Sequence, residues 1–122
     1  MKNEFTPYDR ALKLKELGFN EPCLTFFTAK GIIYKSLDFN GLRLDRLYHN
    51  ECLAPTFSQA FRWFREEYEY CSYIKEVTKG SYRFYIEKFD EKFFNSDIIK
   101  TYEEAELACL DKLIEIVESK NK

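Results

Sequence analysis

The stretch LAPTFSQAFRWFREEYEY, from Leu53 to Tyr70, contains the clearest helix signal in the chain and a dense group of aromatic residues. Thr56 and Gln59 form a T-x-x-Q capping box, in which the hydroxyl accepts the N–H three residues on and the amide reaches back. Pro55 blocks extension of the helix towards the N-terminus. At about 100° per residue, one arc collects the apolar positions. These are Phe57, Ala60, Phe61, Phe64 and Tyr68, so the pattern predicts a helix at the centre of the hydrophobic core.

Helices are also predicted at both ends of the chain. The first, TPYDRALKLKELG, has Thr6 as a candidate N-cap, Pro7 at the first helical position and Gly18 as a C-cap. The last, TYEEAELACLDKLIEIVESK, begins with a second capping box, Thr101 and Glu104. Its apolar arc is wide, which indicates a helix set deep against a sheet. That arc comprises Tyr102, Ala105, Cys109, Leu110, Leu113, Ile116 and Val117.

Two stretches between the helices have the pattern of β-hairpins. Residues 23–28 and 32–36 are rich in β-forming residues, and AKG supplies their turn. Residues 73–77 and 82–89 flank TKGS in the same way. Residues 38–53 fit either a third strand or an irregular connection, and EKFFNSDIIK has the pattern of a loop folded back over the core.

These elements predict one α+β domain over residues 1–122, in the order α-ββ-α-ββ-α. Hairpins imply antiparallel pairing, and three helices packed on a sheet of two hairpins give a two-layer sandwich. A chain of 122 residues is long enough for a single domain with a real core.

Bulk composition limits the classes of function. The net charge is −2, whereas domains that bind phosphate backbones usually carry a basic surface patch. Nucleic-acid binding is therefore the second hypothesis, after protein binding. The N-terminus lacks the apolar core of a signal peptide, and no apolar run is long enough to span a membrane. The four cysteines follow no disulfide pattern. We therefore predict a cytosolic protein with free thiols and no membrane partner.

No motif for catalysis is present. The sequence contains no phosphate-binding loop, nucleophile elbow or zinc-protease motif, so no catalytic residue, metal ligand or cofactor is predicted. His49 and Cys52 form an H-x-x-C pair, which leaves open a small Cys/His-dependent enzyme or a zinc protein as a further alternative.

Surface residues near the helices are better candidates for binding. Trp63 lies about 120° from the centre of the apolar arc and is flanked by Arg62 and Arg65, so this helix face could contact a protein or stack on bases. Arg43 and Arg46 add basic charge nearby in the sequence. The last helix gathers an acidic stripe that could meet a basic partner surface. The stripe is made of Glu104, Asp111, Glu115 and Glu118.

Three stretches, LKELGFNEPC, CLAPTFSQAFRWFREEYEY and TYEEAELACLDKLIEIVESK, resemble a family of small phage and prophage proteins of Bacteroidota. The resemblance covers both ends and the centre of the chain. It implies no catalytic residues, but it implies a mobile-element protein made inside a bacterial cell. Small acidic phage proteins without catalytic motifs are often binders of host machinery, as are the anti-CRISPR inhibitors of RNA-guided nucleases. We therefore expect a non-enzymatic module that binds a host protein, with an RNA-guided nuclease or its ribonucleoprotein as the expected partner and a homodimer left open.

Overall fold

The computed structural model describes residues 4–35, 47, 51–88 and 91–120. These residues form three helices and two antiparallel three-stranded sheets, in the order α-βββ-α-βββ-α, which confirms the α+β class. Each predicted hairpin has gained a third strand, and two sheets replace the single sheet that was predicted. The two-layer packing of the whole chain stays a prediction. Within the described ranges, no helix is long and apolar enough to cross a membrane.

The chain divides into two compact units, Met1–Gln59 and Ala60–Lys122, and each has its own sheet. The organisation as one domain stays a prediction. The first unit contains α1 (Tyr8–Glu16), β1 (Thr25–Phe27), β2 (Ile33–Lys35) and β3 (Cys52–Leu53), with strand order β2-β1-β3. One cluster of its core comprises Ala11, Phe27, Cys52 and Ala54, with Tyr8 and Leu12 packed against them.

The end of α1 is set by Gly18, as predicted. Gly18 adopts φ 101°, a conformation that costs a glycine little. The N–H of Phe19 donates to the carbonyl of Leu14 at 2.9 Å, and the N–H of Gly18 donates to Lys15 at 3.1 Å. This is a Schellman motif, and the buried side chains of Leu14 and Phe19 are placed for its usual hydrophobic contact.

The start of α1 differs from the prediction. Pro7 is the N-cap residue, and no side chain caps the helix, so Thr6 as N-cap was wrong. The backbone N–H of Thr6 donates to the carbonyl of Pro55 at 2.9 Å, and the residue is 1% exposed. Phe5 and Thr56 form an isolated antiparallel bridge beside this bond. The chain before the helix therefore joins a backbone pairing that leaves Thr6 in the core.

The first hairpin lies where the sequence placed it. Its register pairs Phe26 with Tyr34 and Phe27 with Ile33. The N–H of Thr28 donates to the carbonyl of Ile32 at 2.9 Å, and the N–H of Gly31 donates to Thr28 at 2.9 Å. Gly31 has φ 79°, so the turn is a three-residue loop with a left-handed glycine.

The second unit contains most of α2 (Phe57–Tyr68), followed by β4 (Tyr70–Thr78), β5 (Ser81–Lys88), β6 (Glu91–Asn95) and α3 (Tyr102–Lys120). The capping box of α2 is confirmed in both directions. The N–H of Gln59 donates to Thr56 Oγ1 at 3.1 Å, and the N–H of Thr56 donates to Gln59 Oε1 at 3.0 Å.

The strands of the second unit are ordered β4-β5-β6. The segment EKFFNSDIIK was predicted as a loop, and this was wrong: its first half is β6, and Ile99 bridges to Tyr82. The chain leaves the sheet at Ser96. The Ser96 hydroxyl accepts the N–H of Phe84 at 2.9 Å, which holds the chain at this point.

The helix α3 contacts both β4 and β5. Its start is capped as predicted, by the N–H of Glu104 donating to Thr101 Oγ1 at 3.1 Å. The buried arc differs in two places, because Tyr102 is 46% exposed and Ile114, at 2%, is buried where Ile116 was expected. The full buried set is Ala105, Cys109, Leu110, Leu113, Ile114 and Val117.

Candidate interaction site

In the second hairpin, β4 and β5 pair along most of their length, and their side chains lie on two faces. Successive strand residues point to opposite faces, and residues directly opposite share a face. Phe84 and Ile86 are buried on one of them. The other face carries three cross-strand pairs, and we call it the tyrosine face. Its pairs are Cys71–Glu87, Tyr73–Tyr85 and Lys75–Arg83.

The centre of the tyrosine face is a stacked pair of rings. The centroids of Tyr73 and Tyr85 lie 4.9 Å apart, and the rings are inclined by only 16°. Tyr73 is 47% exposed, and its hydroxyl donates to Glu87 Oε1 at 3.2 Å. Partial desolvation and the neighbouring Glu87 carboxylate raise the pKa of Tyr73, which keeps the hydroxyl a neutral donor. Asn95 of β6 lies opposite Tyr85 and extends this row.

One end of the tyrosine face opens into a groove of about 440 Å³, which we call the charged groove. Arg65, at the end of α2, and Glu69 line it with opposite charges, and Arg65 makes no ion pair within the described part of the chain. The remaining lining residues are Cys71, Glu87 and Lys88. Groove and face thus share two residues and form one continuous site.

Glu69 holds a strained conformation at this groove. It is the one non-glycine residue with positive φ in the described ranges, at 65°, and its N–H donates to the carbonyl of Arg65 at 3.1 Å. This left-handed residue allows β4 to begin at Tyr70, almost directly after α2 and three residues earlier than the sequence indicated. Such outliers cluster at functional sites, where surrounding structure holds them.

Trp63 is in the core, which corrects the expectation that it lies outside the apolar arc. It is 5% exposed, and its ring packs edge-on against Phe64 at 5.1 Å and Tyr68 at 5.4 Å. The single-arc pattern fails because α2 is buried over a wider angle than its periodicity indicates. Burial leaves Trp63 too little surface to anchor a partner.

The predicted arginines divide into three groups. Arg62 is exposed and pairs with Glu66 at 3.7 Å along the helix. Arg65 is exposed and lines the charged groove. Arg43 and Arg46, like His49, lie outside the described residues. Of the two predicted arginines that lie in the described ranges, only Arg65 lines the candidate site.

The acidic stripe on α3 is only partly exposed. Glu104 and Glu115 are exposed, and Glu115 pairs with Lys112 at 3.3 Å. Asp111 and Glu118 are half-buried. As partner-binding residues all four stay a prediction, and none of them lines the charged groove.

The cysteines fall into two classes. Burial raises the pKa of Cys23 and Cys109 to about 12. Burial also raises the pKa of Cys52 to about 11, against a lowering by Lys15, so these three thiols are protonated at neutral pH. Cys71 is exposed on the tyrosine face. Among the described residues, no group of three or more His, Cys, Asp or Glu could hold a metal ion.

Comparison of the chain with protein-family models, with curated proteins and with solved structures finds no match.

Apart from Arg65, the residues of the tyrosine face and the charged groove were not among the predicted site residues, and Tyr73 and Glu69 show why. Strand alternation puts Tyr85 on the same face as Arg83 and Glu87, but the ring opposite Tyr85 depends on the register across the Lys79–Gly80 turn. A shift of register by one residue would have exchanged every side chain between the faces. Nothing in the local sequence marks Glu69 as left-handed, because Gly or Asn is the usual signal.

Proposed function

We propose that this chain is a non-enzymatic protein-binding module that uses the tyrosine face and the charged groove to hold its partner. The observation that carries the proposal is the stack of the exposed Tyr73 on the half-buried Tyr85, on a face that continues into a groove lined by Arg65, which makes no ion pair within the described residues. Tyrosine and arginine dominate interface energies, because they offer large contact area and directed donors at low entropic cost. The mixture of Arg65, Lys75 and Arg83 with Glu69 and Glu87 suits a protein surface better than a phosphate backbone.

The partner we propose is a bacterial host protein, and first among host proteins an RNA-guided defence nuclease. This part rests on the resemblance of the sequence to phage and prophage proteins. The two-layer packing expected for the chain belongs to the same proposal, as a rigid support for the face.

The test compares matched tyrosines. A tagged chain captures partners from a Bacteroidota host lysate, and the captured protein is then purified and titrated with variants. We expect Tyr73→Ala with Tyr85→Ala to weaken binding by about 2 kcal/mol or more. Tyr102→Ala is the control, because Tyr102 is 46% exposed against 47% for Tyr73 but lies on α3, away from the face. Equal affinity of both variants would refute the proposed surface.

Cys71 gives an independent measurement. It is the one exposed cysteine of the four, so a bulky maleimide applied to the folded chain labels the tyrosine face selectively. Labelling should abolish partner binding, and a bound partner should protect Cys71 from the reagent. A labelled chain that still binds with full affinity would remove this face from the interface. Addition of the chain to a cleavage reaction tests the nuclease: an undiminished cleavage rate would refute that part alone.

Nucleic-acid binding is the second candidate, and one observation favours it. Lys75 and Arg83 form a basic cross-strand pair directly beside the tyrosine stack, and rings next to cations can hold unpaired bases. Titration with labelled RNA and single-stranded DNA at low and high salt decides it. Binding at low salt that Lys75→Glu removes would support this function, and its absence at low salt would end it, because phosphate contacts are strongest there.

A further inference from the structure

Three consecutive apolar side chains lie exposed at the edge of the first sheet. Ile32 is 50% exposed, Ile33 38% and Tyr34 52%, and we call these three residues the apolar edge. They lie at and just before β2, the outer strand in the order β2-β1-β3. An exposed hydrophobic edge strand is a template for pairing with another strand, and such a run needs a functional reason.

The backbone of β2 has free hydrogen-bonding capacity on its outer side. The N–H of Thr28 donates to the carbonyl of Ile32, and Phe26 pairs with Tyr34 two residues further on. In an antiparallel ladder this alternation turns the N–H and C=O groups of Ile33 and Lys35 away from β1. Hydrogen bonds within the described part of the chain leave these outward groups without partners.

The charges beside the apolar edge select what can pair with it. Residues 24–35 contain Lys30 and Lys35 and no acidic residue, and both lysines are exposed. Two identical strands would bring like charges together, which is unfavourable across a strand pair. An incoming strand with carboxylates would instead pair with Lys35. Stacking of Phe26 against Tyr34, at 6.2 Å and 29°, braces the ring that such a strand would meet.

We propose that the apolar edge binds an extended peptide segment of a partner protein as an added strand, and that this segment alternates apolar and acidic residues. The outward groups of Ile33 and Lys35 supply the main-chain hydrogen bonds, and Ile32 and Tyr34 supply the apolar contact. Strand addition works in this way, with backbone bonds for affinity and side chains for selectivity. The site belongs to the first unit and stands independently of the tyrosine face.

The test uses two synthetic peptides, acetyl-Glu-Val-Glu-Val-Glu-Val-Glu-amide and its analogue with Lys in place of Glu. Each is titrated into the isotopically labelled full chain while backbone amide signals are recorded. The acidic peptide should shift the amides of Ile33 and Lys35 and slow their hydrogen exchange. Ile33→Pro should weaken binding about tenfold or more, because it removes an outward N–H without breaking the ladder to β1.

Lys35→Glu keeps the proposal testable if the proline variant fails to fold. It preserves the backbone and should reverse the preference, so that the lysine peptide binds better than the glutamate peptide. The proposal is overturned if the acidic peptide leaves the two amides unchanged, if both peptides bind the wild-type chain equally, or if a folded Ile33→Pro variant binds as wild type. Shifts of the same amides with protein concentration alone would also overturn it, in favour of pairing between two copies.

Discussion

The turns of the two hairpins each contain a glycine with the same positive φ, but the hairpins present surfaces of different character. Gly31 and Gly80 both have φ 79°. The first hairpin pairs three residues per strand, whereas the second continues through eight registered pairs from Tyr70 to Thr78. In the long ladder, alternation exposes a polar and aromatic face, while the short one leaves three adjacent apolar residues exposed at its edge. The difference in surface thus comes from the strands rather than from the glycine of the turn.

The largest expected effect concerns the core of the second unit. Trp63→Ala should lower the free energy of unfolding by about 3–5 kcal/mol, because it deletes the largest buried side chain and its ring contacts with Phe64 and Tyr68. Urea unfolding measures this. Trp63→Phe should lower the free energy of unfolding by less, since it keeps a ring in the same space. Full stability combined with weak partner binding would contradict the core assignment and return Trp63 to the interface.

The next prediction compares the stability cost of a Gly→Ala substitution in the two turns. A Cβ at position 80 meets nothing within 4 Å, so Gly80→Ala should cost only the left-handed strain, about 1–2 kcal/mol. A Cβ at position 31 would lie 3.0 Å from Cδ2 of Tyr8. That ring has little room to move, because its hydroxyl donates to the carbonyl of Ala29 at 3.1 Å and its edge packs on Phe27. Gly31→Ala should therefore cost at least about 1 kcal/mol more than Gly80→Ala.

Urea midpoints of the two alanine variants give the difference directly. A double-mutant cycle with Tyr8→Ala should cancel the excess, because the clashing ring is gone. If both alanine variants lose the same free energy of unfolding, the Tyr8 ring moves aside at little cost. The turns would then differ only in the strands they join.

Local signals account for what the sequence predicted of this fold. Both capping boxes, the C-cap at Gly18 and the two hairpins depend on residues within a few positions of each other. The third strand of the first sheet was one of two alternatives left open, and that of the second sheet was missed, for the opposite reason. Cys52–Leu53 and Glu91–Asn95 have little strand pattern of their own, and the neighbouring strand they bond to defines them.

The candidate site was less predictable than the fold. Arg65 was identified, because an exposed arginine near the end of an amphipathic helix is visible in the periodicity. Trp63 was misplaced, because a helical wheel assumes burial on one side only and α2 is buried more widely. The pairing of Tyr73 with Tyr85 and the left-handed Glu69 depend on register and backbone geometry, which residue spacing does not encode.

The ends of the first two helices give a third, smaller contrast. Both are followed by a left-handed residue, Gly18 after α1 and Glu69 after α2. Glu69→Gly should raise the free energy of unfolding by about 1 kcal/mol, because glycine adopts this conformation without strain. Glu69→Ala removes the same carboxylate but keeps the strain, so it should leave stability near that of wild type. If the two variants unfold at the same urea concentration, Glu69 is not strained.

The smallest effect distinguishes positions on α3, the helix that contacts β4 and β5. Desolvation, with a further contribution from Glu103, raises the pKa of Glu106. A folded pKa above the unfolded one means that the folded state holds the extra proton. The stabilisation that this proton on Glu106 gives the folded state is complete below the unfolded pKa, about 4.3, and is lost as pH rises through the folded pKa. Glu106→Gln should therefore be more stable than wild type at neutral pH, and because solvent screens the partly exposed carboxylate, the gain should be about half a kcal/mol or less.

Urea unfolding near neutrality and below the unfolded pKa checks this sign, because the advantage of Glu106→Gln should vanish on acidification. Glu104→Gln is the matched control on the same helix. Glu104 is exposed in the first turn, where a negative charge favours the positive end of the helix, so its loss should destabilise slightly at neutral pH. The two substitutions, two residues apart, should therefore change the free energy of unfolding in opposite directions. If both change it in the same direction, net charge, rather than burial at Glu106, governs the stability of α3.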